Sequence, residues 1–193
     1  MKILLHLCCA PCTIYPLRVL REEGAEVHGY FYNPNIHPYQ ECQRRLQTLE
    51  DYAAAVALPL LVHPSYDLEE FLRQVVYREA ERCPFCYALR LQATARLAQE
   101  QGCDAFSSTL LYSRYQQHDR IREIGTQIGR EVGIPFYYAD FRLGWREGIV
   151  ESKRLGMYRQ QYCGCIYSEK DRYYRQEKAR GIRSEEKAAK TAT

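Results

Sequence analysis

Short apolar runs alternate along the chain with longer segments in which apolar residues recur every three or four positions. Ile3, Leu4, Leu5 and Leu7 form the first run and predict a buried strand over Lys2–Leu7. Pro11 stands where a turn enters a helix, with Thr13 as its expected cap. Ile14, Leu17, Val19 and Leu20 carry that helix to Gly24. A second strand is predicted over Glu26–Tyr32, broken by Asn33-Pro34-Asn35. Pro38–Val56 reads as a helix with Leu46, Leu49, Tyr52, Ala53 and Val56 on one face. Leu58–His63 predicts a third strand and Leu68–Arg82 a helix. The stretch from Cys83-Pro84-Phe85-Cys86 to Gln101 predicts a further helix. Then come a fourth strand at Ala105–Leu111, a helix at Arg120–Glu131 closed by Gly133, a fifth strand at Ile134–Phe141, and a partly helical stretch at Trp145–Tyr158.

This alternation predicts an α/β fold with a parallel sheet and flanking helices. Ligands of such sheets sit at the carboxyl ends of the strands. That rim collects Cys8-Cys9, Asn33-Pro34, Pro64-Ser65 and Tyr112-Ser113. A length of 193 residues suits one domain, expected over 1–172, followed by a polar basic tail over 173–193. No apolar run reaches the roughly eighteen residues of a membrane span. Met1–Leu7 runs into Cys8-Cys9 without a separate hydrophobic region or cleavage site. No signal peptide is therefore expected, and the expected location is cytoplasmic.

Composition changes this picture mainly through its nine cysteines. An odd count without a secretory signal argues against a disulfide scaffold and toward metal or redox chemistry. The net charge is only +3, but it is unevenly spread. Residues 142–193 hold thirteen basic against seven acidic residues, so residues 1–141 are slightly acidic. A basic C-terminal quarter suits a polyanionic partner, and equally suits a solvated charged face.

The cysteines fall into groups. Cys8-Cys9-x-x-Cys12 follows the first strand, Cys83-x-x-Cys86 opens a helix, and Cys163-Gly164-Cys165 comes late in the chain. The C-x-x-C spacing lets two thiolates point at one centre. A thioredoxin-like dithiol has the same spacing, but there it follows an early strand. A metal is the better fit, with Cys8 and Cys9 able to complete a four-thiolate set. All-thiolate coordination suits zinc or an iron–sulfur cluster. Adjacent cysteines depart from the paired knuckles of structural zinc sites, which favours iron–sulfur. Cys163-Gly164-Cys165 could close a strained, easily reduced disulfide that relays electrons, or supply a third ligand pair. Cys12 could ligate a second metal, act as a thiol or simply pack. Cys42 and Cys103 read as small packing residues.

Other features are less specific. His37 in the stiff Asn33–Pro38 loop could bind a substrate group or brace the loop, and Glu41, Arg44 or Arg45 could reach the same pocket. Ser107–Ser113 places hydroxyls at a strand end, as phosphate or nucleoside sites do. Tyr158, Tyr162, Tyr167, Tyr173 and Tyr174 alternate with Arg159, Arg172 and Arg175, a pattern that can stack bases and also fits an ordinary solvated helix. The sequence carries no dinucleotide fingerprint, P-loop or Ser-His-Asp constellation.

Five segments together are specific. Leu5-His6-Leu7-Cys8-Cys9-Ala10-Pro11-Cys12, Tyr32-Asn33-Pro34-Asn35-Ile36-His37-Pro38, Arg82-Cys83-Pro84-Phe85-Cys86-Tyr87 with Arg90-Leu91, Thr109-Leu110-Leu111-Tyr112-Ser113 and Tyr158-Arg159-Gln160-Gln161-Tyr162-Cys163-Gly164-Cys165 resemble the epoxyqueuosine reductase family of the QueH type. The resemblance runs in order over residues 3 to about 167. It implies a fold similar to the nucleotide α-hydrolase group and the last step of queuosine synthesis, reduction of epoxyqueuosine at the wobble position of tRNA. It also implies a [4Fe-4S] cluster on Cys8, Cys9, Cys83 and Cys86, a redox-active disulfide between Cys163 and Cys165, and an external electron donor. Arg114 after Ser113 and Cys42 depart from that family's pattern, where Pro and an aromatic residue are usual. A four-thiolate cluster is a one-electron relay without an open coordination position. A second, single iron held partly by Cys12 is therefore expected to take the epoxide oxygen. The alternatives are a zinc-stabilised, non-catalytic tRNA-binding module and a thiol oxidoreductase acting on proteins.

Overall fold

The computed structural model describes residues 1–174. All but the first two residues of the expected tail over 173–193 lie outside that range. Four strands form one parallel sheet: β1 (Lys2–His6), β2 (Glu26–Phe31), β3 (Leu60–Val62) and β4 (Ala105–Ser108), in the order β3-β2-β1-β4. The helices are α1 (Ala10–Glu22), α2 (Tyr39–Ala55), α3 (Leu68–Val75), α4 (Arg82–Glu100), α5 (His118–Val132) and α6 (Trp145–Arg154).

β1 lies between β2 and β4, which explains its unbroken apolar run. Ile3, Leu4, Leu5 and Leu7 are all fully buried. Each such side chain contributes about 1.5–3 kcal/mol. A parallel strand covered on both faces has no polar side to show. Parallel pairing also puts every strand's C-terminus on one rim. Cys8-Cys9, Asn33-Pro34 and the 3₁₀ turn Thr109–Tyr112 all follow strand ends there.

Three local expectations change. Ile134–Phe141 does not make a fifth strand. It contributes a single parallel bridge, Phe106 to Phe136, with Phe106 N–H donating to Pro135 O (3.0 Å) and Tyr137 N–H donating to Phe106 O (2.8 Å). Pro135 has no N–H to extend a ladder, and the Ser107 hydroxyl takes the Tyr137 carbonyl (2.8 Å). The helix from Leu68 stops at Val75, because Val76 is extended and Tyr77 has a left-handed φ of 64°. Arg82 then opens α4, so Cys83 and Cys86 lie in that helix's first turns. Thr13 is not a cap. Cys9 holds the N-cap position of α1, and Thr13 Oγ1 donates back to Cys9 O (2.9 Å).

α6 is fixed by a close approach. A Cβ on Gly148 would stand 2.1 Å from the Tyr112 hydroxyl, which donates to Trp145 O (3.2 Å). Helix propensity alone favours alanine there by about 1 kcal/mol. Overpacking of this kind costs about 1–3 kcal/mol and should prevail. Gly148→Ala is expected to lower the denaturation midpoint, and to lower it less in a Tyr112→Phe background. A gain in stability for Gly148→Ala alone would show that the ring moves freely.

Candidate metal and redox site

Cys8, Cys9 and Cys12 meet where β1 hands over to α1. Their sulfurs lie within 4.8 Å of one another. Cys8 Sγ and Cys9 Sγ are 3.8 Å apart. A single tetrahedral ion with thiolate bonds of about 2.3 Å would hold its sulfurs about 3.8 Å apart. The triad is electrostatically uneven. Hydrogen bonds from Cys12 and Cys9 hold the Cys8 thiol well below its usual pKa, while burial pushes Cys9 up and sharing with Cys8 pushes Cys12 up. One negative charge is thus concentrated on Cys8, at the positive end of α1. Cys8 N–H donates to Thr109 Oγ1 (3.2 Å), and that hydroxyl donates to Cys8 Sγ (3.4 Å). Gln160 Nε2 donates to Cys9 Sγ (2.9 Å).

His6 lies two residues before the triad and is fully buried. Its Nδ1 meets Ser108 Oγ (2.9 Å) and its Nε2 meets Tyr32 O (3.1 Å). Only Nε2–H can donate to that carbonyl, which makes Nδ1 the acceptor. Burial lowers its pKa to about 4, helped by the charge of Arg90, so the ring stays neutral at physiological pH.

Cys83, Cys86, Cys163 and Cys165 form a second grouping. Burial is the main influence raising the thiol pKa of Cys83, and of Cys86 to about 12, with Cys163 and Cys165 among the charges adding to both. Cys86 and Cys165 share a small apolar cluster with Phe71 and Val75. Cys165 is buried and Cys163 exposed, and both thiols are free. Gln116 Nε2 donates to Cys163 Sγ (3.2 Å).

Arg90 joins the two groupings. It is 2% exposed. Its Nε donates to Cys86 O (3.0 Å), while its buried Nη2 has no partner. Burial opposes its charge most strongly, yet Cys86, Cys163 and Cys8 outweigh that and raise its pKa. A buried guanidinium with a spare donor marks a place suited to an anionic group.

A second buried arginine holds the Cys163-Gly164-Cys165 segment. Arg45 Nη1 donates to Cys163 O (2.8 Å), Nη2 to Tyr162 O (3.1 Å) and Nε to Glu41 Oε1 (2.8 Å). The other Glu41 oxygen accepts from Tyr158 (2.5 Å). His37 braces the same segment: its N–H donates to Gly164 O (2.9 Å), its Nδ1 accepts from Ile166 N–H (3.4 Å), and its carbonyl accepts from Tyr162. Gly164, at φ 154°, packs so closely that a Cβ would stand 3.1 Å from both Asn35 and Ile36. Loop bracing is therefore the role this geometry gives His37.

The residues expected from the sequence thus fall into two places. Cys12 joins Cys8 and Cys9, while Cys83 and Cys86 face the Cys163–Cys165 segment and lie outside the one compact triad found among the described residues. Cys42 packs in the core and Cys103 against it. Sequence reasoning passed over His6, Gln116 and Gln160, and gave Arg90 no role of its own. Arg90 carried a usable signal. It stands four residues after Cys86 and one before Leu91, in the buried stripe of an amphipathic helix.

Comparison with known proteins covers most of the chain. Residues 3–171 match the family model described as epoxyqueuosine reductase QueH. The epoxyqueuosine reductase QueH of Dehalococcoides mccartyi is 40% identical over 172 residues, which is 89% of this chain and 94% of that one. Its counterpart in Thermotoga maritima is 34% identical over 179 residues, 86% of this chain and 89% of that one. A predicted subunit of tRNA methyltransferase from Methanocaldococcus jannaschii shares the fold alone. It has a TM-score of 0.55 at 10% identity, covering 79% of this chain and 74% of that one.

Arg45 and Glu41 are both buried, with side-chain exposures of 1% and 9%. Arg45→Met should cost about 3–5 kcal/mol in denaturant unfolding, because it strands the Glu41 carboxylate. Adding Glu41→Gln should recover part of that loss. A loss under about 1 kcal/mol would mean that the pair is solvated.

Proposed function

We propose a mechanism from one premise: the chain belongs to the epoxyqueuosine reductase QueH family. It is an oxidoreductase that acts on tRNA, reducing epoxyqueuosine to queuosine. That membership sets aside the non-catalytic binding module and the protein-directed thiol oxidoreductase. Our reading beyond the family is that residues 1–172 are the catalytic domain, with a [4Fe-4S] cluster on Cys8, Cys9, Cys83 and Cys86 and a redox pair at Cys163 and Cys165.

The observation that carries the reading is the buried Arg90, whose Nη2 has no partner among the described residues and which lies near the sulfurs of Cys8, Cys86 and Cys163. The all-sulfur donor set suits an iron–sulfur cluster. Held there, such an anionic group would offer an acceptor to Arg90. Cys12 lies beside Cys8 and Cys9, where it could serve as a ligand of a single iron next to the cluster. When bound, these groups supply electrons one at a time and a Lewis acid for the epoxide oxygen.

The chain's own residues do the rest. Two electrons and two protons must enter as both C–O bonds of the epoxide break, water leaves and the C=C bond forms. Closure of the Cys163 and Cys165 thiols to a disulfide releases two electrons and two protons, which balances that demand. An external donor then restores both thiols, reaching the exposed Cys163 first. Gln116 orients the Cys163 sulfur, and Arg45 and His37 hold the backbone on either side of it. Thr109 and Gln160 direct hydrogen bonds at Cys8 and Cys9, steadying thiolate charge there.

Anaerobically purified protein should be brown, with iron and acid-labile sulfide near the complement of one cluster. Colourless protein with stoichiometric zinc would sink the cluster. Cys83→Ala should lose both cluster and turnover. Cys165→Ala should keep the cluster and lose turnover, and full turnover in that variant would remove the relay. Arg90→Met should move the cluster's reduction midpoint to more negative values, since a buried cation favours the added electron, and Arg90→Lys should move it less. Unchanged midpoints in both would leave Arg90 as packing only.

A further inference from the structure

The loop between the Thr109–Tyr112 turn and α5 leaves one large ring in the open. Tyr115 is 82% exposed, although the loop around it is well tied. Its N–H donates to Ser113 Oγ (3.3 Å), and the Gln116 N–H donates to Ser113 O (3.3 Å). The Gln116 side chain accepts from Tyr87 (2.9 Å) and donates to Cys163 Sγ. Tyr115 is therefore the immediate neighbour of a residue that touches the exposed thiol.

The ring is also supported from below. Trp145 meets it edge to face, with centroids 5.7 Å apart and planes at 78°. Trp145 rests in turn on the buried Tyr112, at 5.3 Å. Edge-to-face contact fixes an aromatic ring while leaving a face uncovered. Arginines predominate nearby, and Glu147, a carboxylate that acts on Tyr112, is paired with Arg18 (2.9 Å). Arg114 adjoins Tyr115, Arg146 adjoins Trp145, and Arg159 is a positive neighbour of Tyr112. Among the described residues none of these three pairs with a carboxylate.

We propose that Tyr115, braced by Trp145, is a stacking platform for a nucleobase of the anticodon loop beside the one being reduced. An exposed π-face within a cationic surround, next to the reaction site, is how proteins hold unpaired bases. The substrate is RNA, so the occupant needs no new partner. The location rests on the reading of Cys163 as a reacting thiol. Stacking tolerates any base, so this contact contributes affinity and orientation, and base identity is read elsewhere.

The test uses the full chain, purified anaerobically with its metal, and a synthetic anticodon stem-loop RNA with 2-aminopurine in the loop. Tyr115→Ala should weaken binding about five- to a hundredfold and abolish the quenching of 2-aminopurine. Tyr115→Phe should keep both. The salt dependence of Kd should match wild type in each variant, because no cation is removed. Binding by Tyr115→Ala within twofold of wild type would overturn the platform. So would equal losses in Tyr115→Ala and Tyr115→Phe, which would point to the hydroxyl. Failure of the relay reading shows separately, as full turnover in Cys165→Ala, and leaves the RNA measurements standing.

Discussion

A buried guanidinium must find acceptors for its N–H groups or destabilise the fold that encloses it. Arg45 finds them in Glu41 and in the carbonyls of Tyr162 and Cys163. That requirement ties α2, which follows the second strand, to a segment more than a hundred residues later. It fixes where Cys163 and Cys165 stand relative to Cys86. His37 adds a second set of anchors to the same segment.

Arg90 faces the same requirement and leaves it unmet among the described residues. The two arginines therefore divide the work. One is saturated by protein atoms and builds the frame. The other keeps a donor in reserve, among thiols drawn from three parts of the sequence. The parallel sheet makes this possible, because β1 and β4 end side by side and deliver Cys8 and Thr109 to one rim. Aromatic rings from the 3₁₀ turn and α6 line another part of that rim.

Much of this was legible in the residues. The apolar run of β1, the order of strands and helices and the three cysteine motifs all follow from local pattern, and local pattern is what a sequence displays. The partial strand at Ile134–Phe141 was misread because its apolar character is genuine while Pro135 removes the ladder donor. The grouping of thiols was not legible. C-x-x-C spacing says that Cys83 and Cys86 point one way, but not that Cys163 and Cys165 are what they face. Nor does any periodicity reveal that Gln160 reaches Cys9 across 151 residues. His37 stayed open between binding and bracing because a histidine in a rigid loop has the same appearance in either role.

That separation along the chain has a consequence for biogenesis. The central strand β1 is made before its partner β4, which begins only at Ala105, and the bracing of the late cysteines waits for Tyr162 and Cys163. No nascent fragment ending before those residues contains the whole thiol set. Assembly of the complete thiol set therefore has to follow synthesis of Cys165. Until then Cys8, Cys9 and Cys12 are open to oxidants and to competing metals.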